Sequence, residues 1–254
     1  MTMRILHLDI ETTPNTAHVW GLWGVNVSIN QIMDSSYTLC WAAGWDDEKE
    51  ISFSSMHQVG KRAMVQAIWD LLDTADAVVH YNGKRFDIPT LNKEFLKLGM
   101  PPPSPFHQID LLHIVKKRFR FPSNKLDYVA QQLGLGAKTH HKGHALWVGC
   151  MAGDEKDNKV MQKYNIQDVV LLKKLYRKLL PWIQNHPNHA LYTADTRPLC
   201  PNCGSHHVLK CGTETTGVGM YQRYRCKACK TPIRGRTSTL PADKRKAVLT
   251  GSKL

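Results

Sequence analysis

Apolar positions recur first at a two-residue period and later at a helical one. Residues 3–10 (MRILHLDI) and 37–45 (YTLCWAAGW) are mostly apolar and read as strands, and 50–55 (EISFSS) alternates as a third. Together they predict an antiparallel meander at the start of the chain. Within 61–76, Met64, Ile68, Leu71 and Leu72 fall at helical spacing. Residues 75–83 (ADAVVHYNG) read as a short buried strand ending in a turn. Helices are expected at 88–99, 110–119, 125–133 and 156–179, with loops between them. Strands first, then a strand flanked by helices, predict a mixed α/β domain over 1–181. The Pro- and Asn-rich, aperiodic stretch 182–198 reads as a linker. A Cys-rich module follows at 199–236, then a flexible basic tail at 237–254. Trp20, Trp23, Trp41, Trp45 and Trp69 read as core.

Composition narrows the function classes. The chain is 42% hydrophobic and 22% charged, which is globular. It holds no apolar run of the ~18–20 residues a bilayer span needs, so no membrane role is expected. The N-terminal stretch MTMRILHLDIE lacks an export signal, which predicts a cytoplasmic protein. Seven cysteines in that setting predict reduced thiols or metal ligands. The net charge of +13 is uneven: residues 197–254 hold 12 Lys+Arg against 2 Asp+Glu, the rest 22 against 19. A balanced body with a basic end points to a polyanionic partner, most simply nucleic acid, although a solvated end that binds nothing has the same composition.

Candidate chemistry begins with acids. Asp9 and Glu11, two apart on the first strand, share one face. A D-x-E pair arises about once by chance in a chain this long, so alone it carries little. Asp87 follows HYNGKRF, where a buried strand gives way to a helix, a position also suited to a simple N-cap. Tyr164 and Asp168 stand i, i+4 on a strongly helical stretch and so stack on one helical face. Four carboxylates of this kind are what a two-metal phosphodiester site requires, with Mg²⁺ or Mn²⁺ as hard, oxygen-liganded ions.

In order along the chain, LDIET (8–12), HYNGKRFDIPTL (80–91) and YNIQD (164–168) resemble the three motifs of DEDD-type 3′→5′ exonucleases. These belong to the ribonuclease H-like superfamily and are similar to polymerase proofreading domains. Tyr164, four before the last Asp, marks the DEDDy branch, and Lys163 stands where the other branch has His. NKLDYVAQQLGLGAK (124–138) resembles the segment between motifs two and three in family-B-polymerase-like exonucleases. More narrowly, the chain resembles small exonucleases of tailed bacteriophages that end in a zinc ribbon. The resemblance implies a ribonuclease H-like α/β fold acting on DNA, in the cytoplasm of a host if phage-encoded, and leaves open whether it proofreads for a separate replicative polymerase, acts in recombination or degrades DNA. It implies that Asp9 bridges two ions, that Glu11 and Asp168 complete the water-activating ion's site, and that Asp87 binds through water. Tyr164 would orient the nucleophile, and Thr12, Asn82 and Phe86 would lie along the 3′-terminal nucleotide.

Cys200-x2-Cys203 and Cys226-x2-Cys229, with 22 residues between them, have the spacing of two knuckles on one structural Zn²⁺. So small a module has little core, and the metal would supply its folding energy. Arg223, Arg225, Lys227 and Arg234, interleaved with Tyr221 and Tyr224, suit phosphate contact and base stacking, with a ribbon that docks on a partner protein as the alternative. His140, His141 and His144 read as a substrate-edge loop, not a metal site. The expected activity is 3′→5′ trimming of single-stranded or frayed DNA to nucleoside monophosphates. A nucleic-acid-binding adaptor with a lapsed site, or an exoribonuclease, are the alternatives.

Overall fold

A computed structural model describes residues 2–251. They form two compact units: Arg4–Tyr176, and the chain from Arg177 onward together with the extreme N-terminus. In the first unit the strands are β1 (Ile5–Thr12), β2 (Thr16–Ala17), β3 (Ile32–Asp34), β4 (Thr38–Trp45), β5 (Ser52–Ser55), β6 (Ala77–His80) and β7 (His107–Asp110). The helices are α1 (Met56–Val59), α2 (Lys61–Asp73), α3 (Asp87–Lys97), α4 (Leu111–Arg118), α5 (Leu126–Gln132), α6 (His144–Met151) and α7 (Glu155–Leu179), the last of which runs past the unit's end at Tyr176.

Five strands form one mixed sheet in the order β5-β4-β1-β6-β7. β1, β4 and β5 are the expected antiparallel meander, and β6 and β7 run parallel to β1. Both faces are covered. Met64, Val65, Ile68 and Leu72 of α2 and Ile88, Leu91 and Phe95 of α3 pack on one. Leu146 and Cys150 of α6 and Met161 and Tyr164 of α7 join Leu39 and Cys40 on the other. This is an α/β fold with helices flanking a mixed sheet.

Several boundaries differ from the periodicity reading. β1 runs on to Thr12 because its pairing with β4 continues through a bulge to Thr12↔Thr38, which places Asp9 and Glu11 inside the strand. Residues 144–151, expected as loop, form α6, whose buried Leu146 and Cys150 are one turn apart. β7 has only its last two residues buried, too few to show a period. Trp41 is buried and Trp45 and Trp69 pack against the core, but Trp20 and Trp23 are not core: they are 100% and 92% exposed. The short β2–β3 pairing carries them away from the sheet.

In the second unit, β8 (Val208–Thr215), β9 (Met220–Cys226) and β10 (Pro232–Ser238) form an antiparallel sheet, followed by α8 (Ala242–Ala247). The turn at 180–183 belongs here because the Asn202 amide donates to the carbonyls of Leu180 (2.8 Å) and Ile183 (3.1 Å). The stretch expected as a flexible tail from 237 onward instead begins inside β10 and contains α8. The Thr239 N–H donates to the Met220 carbonyl at 2.7 Å and prolongs the pairing. Residues 252–254 of that tail lie outside the described residues.

The turn between β6 and α3 is tightly fitted. A Cβ on Gly83 would stand 2.5 Å from Cγ of His80, whose ring is fully buried and has no room to retreat. Gly83→Ala is expected to cost about 1–3 kcal/mol and to lower Tm by several degrees. Thermal melts of the full chain beside wild type check it, and an unchanged Tm contradicts the fit.

Candidate active site

Period-two alternation sends Leu6, Leu8 and Ile10 of β1 into the cluster with α2 and α3. Asp9 and Glu11 therefore face the other way, toward α7. There one carboxylate oxygen each from Asp9, Glu11 and Asp168 lie within 4.8 Å of one another. Tyr164 sits one turn before Asp168, and Val169, Leu172 and Tyr176 are buried along the same helix. Asp87, the first residue of α3, lies outside that trio but is tied to it. It accepts a hydrogen bond from the Ile10 N–H (3.2 Å), between the two strand acids.

Burial dominates the electrostatics. Burial pushes the Asp9 carboxyl well above the usual range, and Glu11, Asp168 and Asp87 add repulsion. Burial, then Asp168, raises Glu11 to about 8. Burial raises Asp87 to about 7 against the opposing Ile10 N–H. Burial also raises Asp168, although Lys138 opposes it: Lys138 Nζ donates to Asp168 Oδ2 at 2.5 Å and to the Tyr164 hydroxyl at 3.0 Å. Burial alone would lower Lys138, but Asp168 and Tyr164 more than offset it and hold the ammonium raised. Among the described residues, the other oxygen of buried Asp168 has no hydrogen-bond partner. A crowded, oxygen-only donor set with an orphaned carboxylate oxygen fits hard divalent cations.

Three supporting residues were not singled out from the sequence. Asn165, fully buried, donates from Nδ2 to Asp9 Oδ2 at 2.7 Å and so fixes that carboxylate. Its neighbour Tyr164 drew attention, but only the tertiary fold aims Asn165 at β1. Lys138 follows a Gly-rich run, and its backbone N–H is held by Asp127 Oδ1 at 2.8 Å. Asp110, at the end of β7, accepts from the N–H groups of Asn82 (2.9 Å) and Leu112 (3.0 Å), pinning the turn before Asp87.

Of the expected nucleotide contacts, Thr12 ends β1 half-buried, and Asn82 takes a left-handed φ of 71° in that turn. Phe86 precedes α3 and is 44% exposed, so it is not core. An open cleft of about 550 Å³ is lined by Asp9, Tyr81, Asn82 and Leu112 together with Lys116, Lys125 and Lys138. His141 packs edge-on against Tyr164, with ring centres 4.8 Å apart, and against Trp147 at 5.3 Å. Among the described residues, His140, His141 and His144 join no metal-ligand group.

In the second unit the sulfurs of Cys200, Cys203, Cys226 and Cys229 converge within 4.8 Å. The two knuckles turn alike: the Gly204 N–H bonds the Cys200 carbonyl (2.9 Å) and the Lys230 N–H the Cys226 carbonyl (3.1 Å). Gly204 and Lys230 both have positive φ, at 68° and 66°. Four thiols so placed are compatible with a zinc ribbon. Of the basic side chains, Arg223 donates to the Cys211 carbonyl, Arg225 to that of Lys230, and Arg234 lies 4.6 Å over the Tyr221 ring, while Lys227 is exposed.

Native carboxylates with raised pKa bind more protons than the unfolded chain between about pH 4 and 8. Their contribution to stability therefore falls as pH rises through that window, and a divalent cation relieves the repulsion. The Tm gain on adding Mg²⁺ or Mn²⁺ is thus expected to be larger at pH 8 than at pH 5, and to vanish in Asp9→Asn. Calorimetric melts of the full chain test this, and an equal gain at both pH values contradicts it.

The sequence profile of the RNase_H superfamily matches residues 6–180. No curated protein matches the chain. Among solved structures it is similar to the family B DNA polymerase from the hyperthermophilic archaeon Pyrobaculum calidifontis, with a TM-score of 0.56 and 20% identity. That likeness covers 70% of this chain and 25% of the polymerase, so the chain spans about a quarter of that length, and the likeness is one of fold. With the strand order, the acids of β1 and α7 and the matched span in agreement, the chain belongs to the RNase H superfamily.

Proposed function

We propose that the protein is a metal-dependent 3′→5′ exonuclease of the DEDDy type, trimming single-stranded or frayed DNA to nucleoside monophosphates. The observation that carries this reading is the convergence of Asp9, Glu11 and Asp168, with Asp9 also lining a lysine-flanked cleft and Tyr164 one turn from Asp168. An adaptor with a lapsed site is the weaker reading, because all four acids are present, three of them converging and Asp87 bonded to β1 between the two strand acids.

On this reading, Asp9, Glu11 and Asp168 hold a pair of Mg²⁺ or Mn²⁺ ions, and Asp87 acts through water. Such ions supply a nucleophile at neutral pH and charge stabilisation at the leaving oxygen. Water oxygen joins phosphorus as the bond to the preceding 3′-oxygen breaks, leaving a nucleoside 5′-monophosphate and a shortened strand. Tyr164 positions the attacking water through its hydroxyl. Asn165 keeps Asp9 from rotating. Lys138 supplies positive charge beside Asp168 and Tyr164 and lines the cleft toward the phosphates. Thr12, Asn82 and Phe86 flank the terminal nucleotide. In the second unit the four thiolates bind one structural Zn²⁺, and Arg223, Arg225, Lys227 and Arg234 present charge to DNA. A separate polymerase is the protein partner this reading favours, and the phage resemblance is consistent with it.

The test uses 5′-labelled DNA and RNA oligonucleotides with the full chain in Mg²⁺, Mn²⁺ or EDTA. A ladder shortening from the 3′ end is expected, lost in EDTA and in Asp9→Ala and Asp168→Ala. Undiminished hydrolysis in both variants overturns the assignment. Tyr164→Phe is expected to slow the reaction about 10- to 100-fold without abolishing it. The RNA arm separates exoribonuclease from exodeoxyribonuclease. Deleting residues 197–254 is expected to weaken DNA binding and flatten its salt dependence while sparing cleavage. Unchanged affinity in the truncation removes the ribbon from the DNA-binding surface.

A further inference from the structure

Residues 12–33 contain no Lys, Arg, Asp or Glu, in a chain of net charge +13. Between β2 and β3 this neutral stretch forms an arm on which Trp20, Leu22, Trp23 and Ile29 are almost wholly in solvent. Soluble proteins seldom leave so much apolar surface together without an occupant. Gly21 and Gly24 bracket Leu22 and Trp23, and nothing lies within 4 Å of where a Cβ on Gly24 would stand. The two indoles are therefore offered on an open backbone.

The arm's root is tied to two elements that carry acids of the site. The chain leaves β1 directly after Glu11 and Thr12. The Thr13 N–H donates to the Tyr37 carbonyl (2.9 Å), and the Ser36 N–H donates to Asn15 Oδ1 (2.6 Å). Lys93 of α3, the helix that opens with Asp87, donates to the Ser36 carbonyl at 2.6 Å. Both β1 and α3, each carrying part of the acid cluster, thus hold the root in place.

We propose that this arm is a base-binding element: Trp20 and Trp23 stack on unpaired bases of the nucleic-acid strand whose end lies at the acids. The inference rests on the nuclease reading and extends it to how the strand is gripped. A neutral arm cannot neutralise phosphates, and the cleft already has Lys116, Lys125 and Lys138 for that. What two exposed indoles offer a nucleic acid is the faces of its bases, whatever their sequence. The chain enters the arm directly after Glu11 and Thr12, which favours an occupant that itself reaches the acids, as a strand being trimmed does and a docked protein need not. Leu22 and Ile29 shield the stacked bases from water.

The test compares Trp20→Ala/Trp23→Ala with Trp20→Phe/Trp23→Phe in the full chain, both in an Asp9→Ala background so that no strand is consumed. Fluorescence anisotropy reads affinity for a labelled single-stranded DNA and for a strand of equal length made abasic toward its 3′ end. The alanine pair is expected to lose about tenfold or more on the normal strand, and the phenylalanine pair to recover most of it. Neither pair should change affinity for the abasic strand, which keeps its phosphates. Equal affinity of wild-type and alanine arms for the normal strand overturns the proposal, as does an equal loss on both strands. So does a vesicle-binding or dimerisation defect in the alanine pair with strand affinity intact, which assigns the arm to lipid or to a second copy. If the chain with Asp9 intact never shortens DNA in Mg²⁺ or Mn²⁺ while the Asp9→Ala pairs show the base-dependent loss, the arm keeps its role and the exonuclease reading is refuted instead.

Discussion

β1 is hydrogen-bonded along both edges, antiparallel to β4 and parallel to β6, and its alternate residues belong to two different environments. Leu6, Leu8 and Ile10 complete the cluster with α2 and α3, and that commitment turns Asp9 and Glu11 toward α7. A slip of one residue would bury two carboxylates among Met64, Ile68 and Leu91 and aim Leu8 and Ile10 at Asp168. Burying unpaired acids in an apolar cluster is costly enough to exclude that register. The hydrophobic pattern of one strand thereby decides the position of the chemistry, and α3 and α7 bring Asp87 and Asp168 to it.

The same arrangement works against folding. Asp9, Glu11, Asp87 and Asp168 are held where burial favours their protonated forms, repulsion from the other acids of the set adds to it at Asp9 and Glu11, and no apolar gain requires them to meet. The chain contains a partial remedy. Lys138 places an ammonium against Asp168 and Tyr164, and Asn165 gives Asp9 a donor. These contacts soften the repulsion while leaving one oxygen of Asp168 unpartnered among the described residues. Local conflict of this kind, retained inside an otherwise well-packed core, is the pattern expected where binding a cation completes the structure.

How much of this was legible in the sequence follows from the range over which each feature is determined. Asp9 and Glu11 share a face by strand alternation, and Tyr164 and Asp168 by helical spacing, both local geometry. The four knuckle cysteines are likewise a matter of spacing. Lys138 and Asn165 are different, because nothing within a few residues says that a loop after α5 returns over α7 or that Asn165 faces β1. Asp110 was invisible for a related reason: β7 is four residues long, and its role as the anchor of the Asn82 turn exists only once β6 lies beside it. Trp20 and Trp23 misled in the opposite direction. Large apolar residues default to the core, but their stretch has neither strand nor helix period, and that lack of pattern was the usable signal.

The basic charge that first pointed to a polyanion also turns out to be unequal in its availability. Arg223 and Arg225 spend hydrogen-bonding capacity on backbone carbonyls of their own sheet, and Arg234 lies over Tyr221. Those guanidiniums still carry charge, but their orientation is set by β-sheet geometry and not by a ligand. The cleft lysines are arranged the other way: Lys116 and Lys125 line open space, and only Lys138 is engaged by the acids. Charge in the second unit is therefore oriented by its own sheet, whereas Lys116 and Lys125 face the cleft that Asp9 also lines. Net charge alone, summed over the chain, could not have separated those two arrangements.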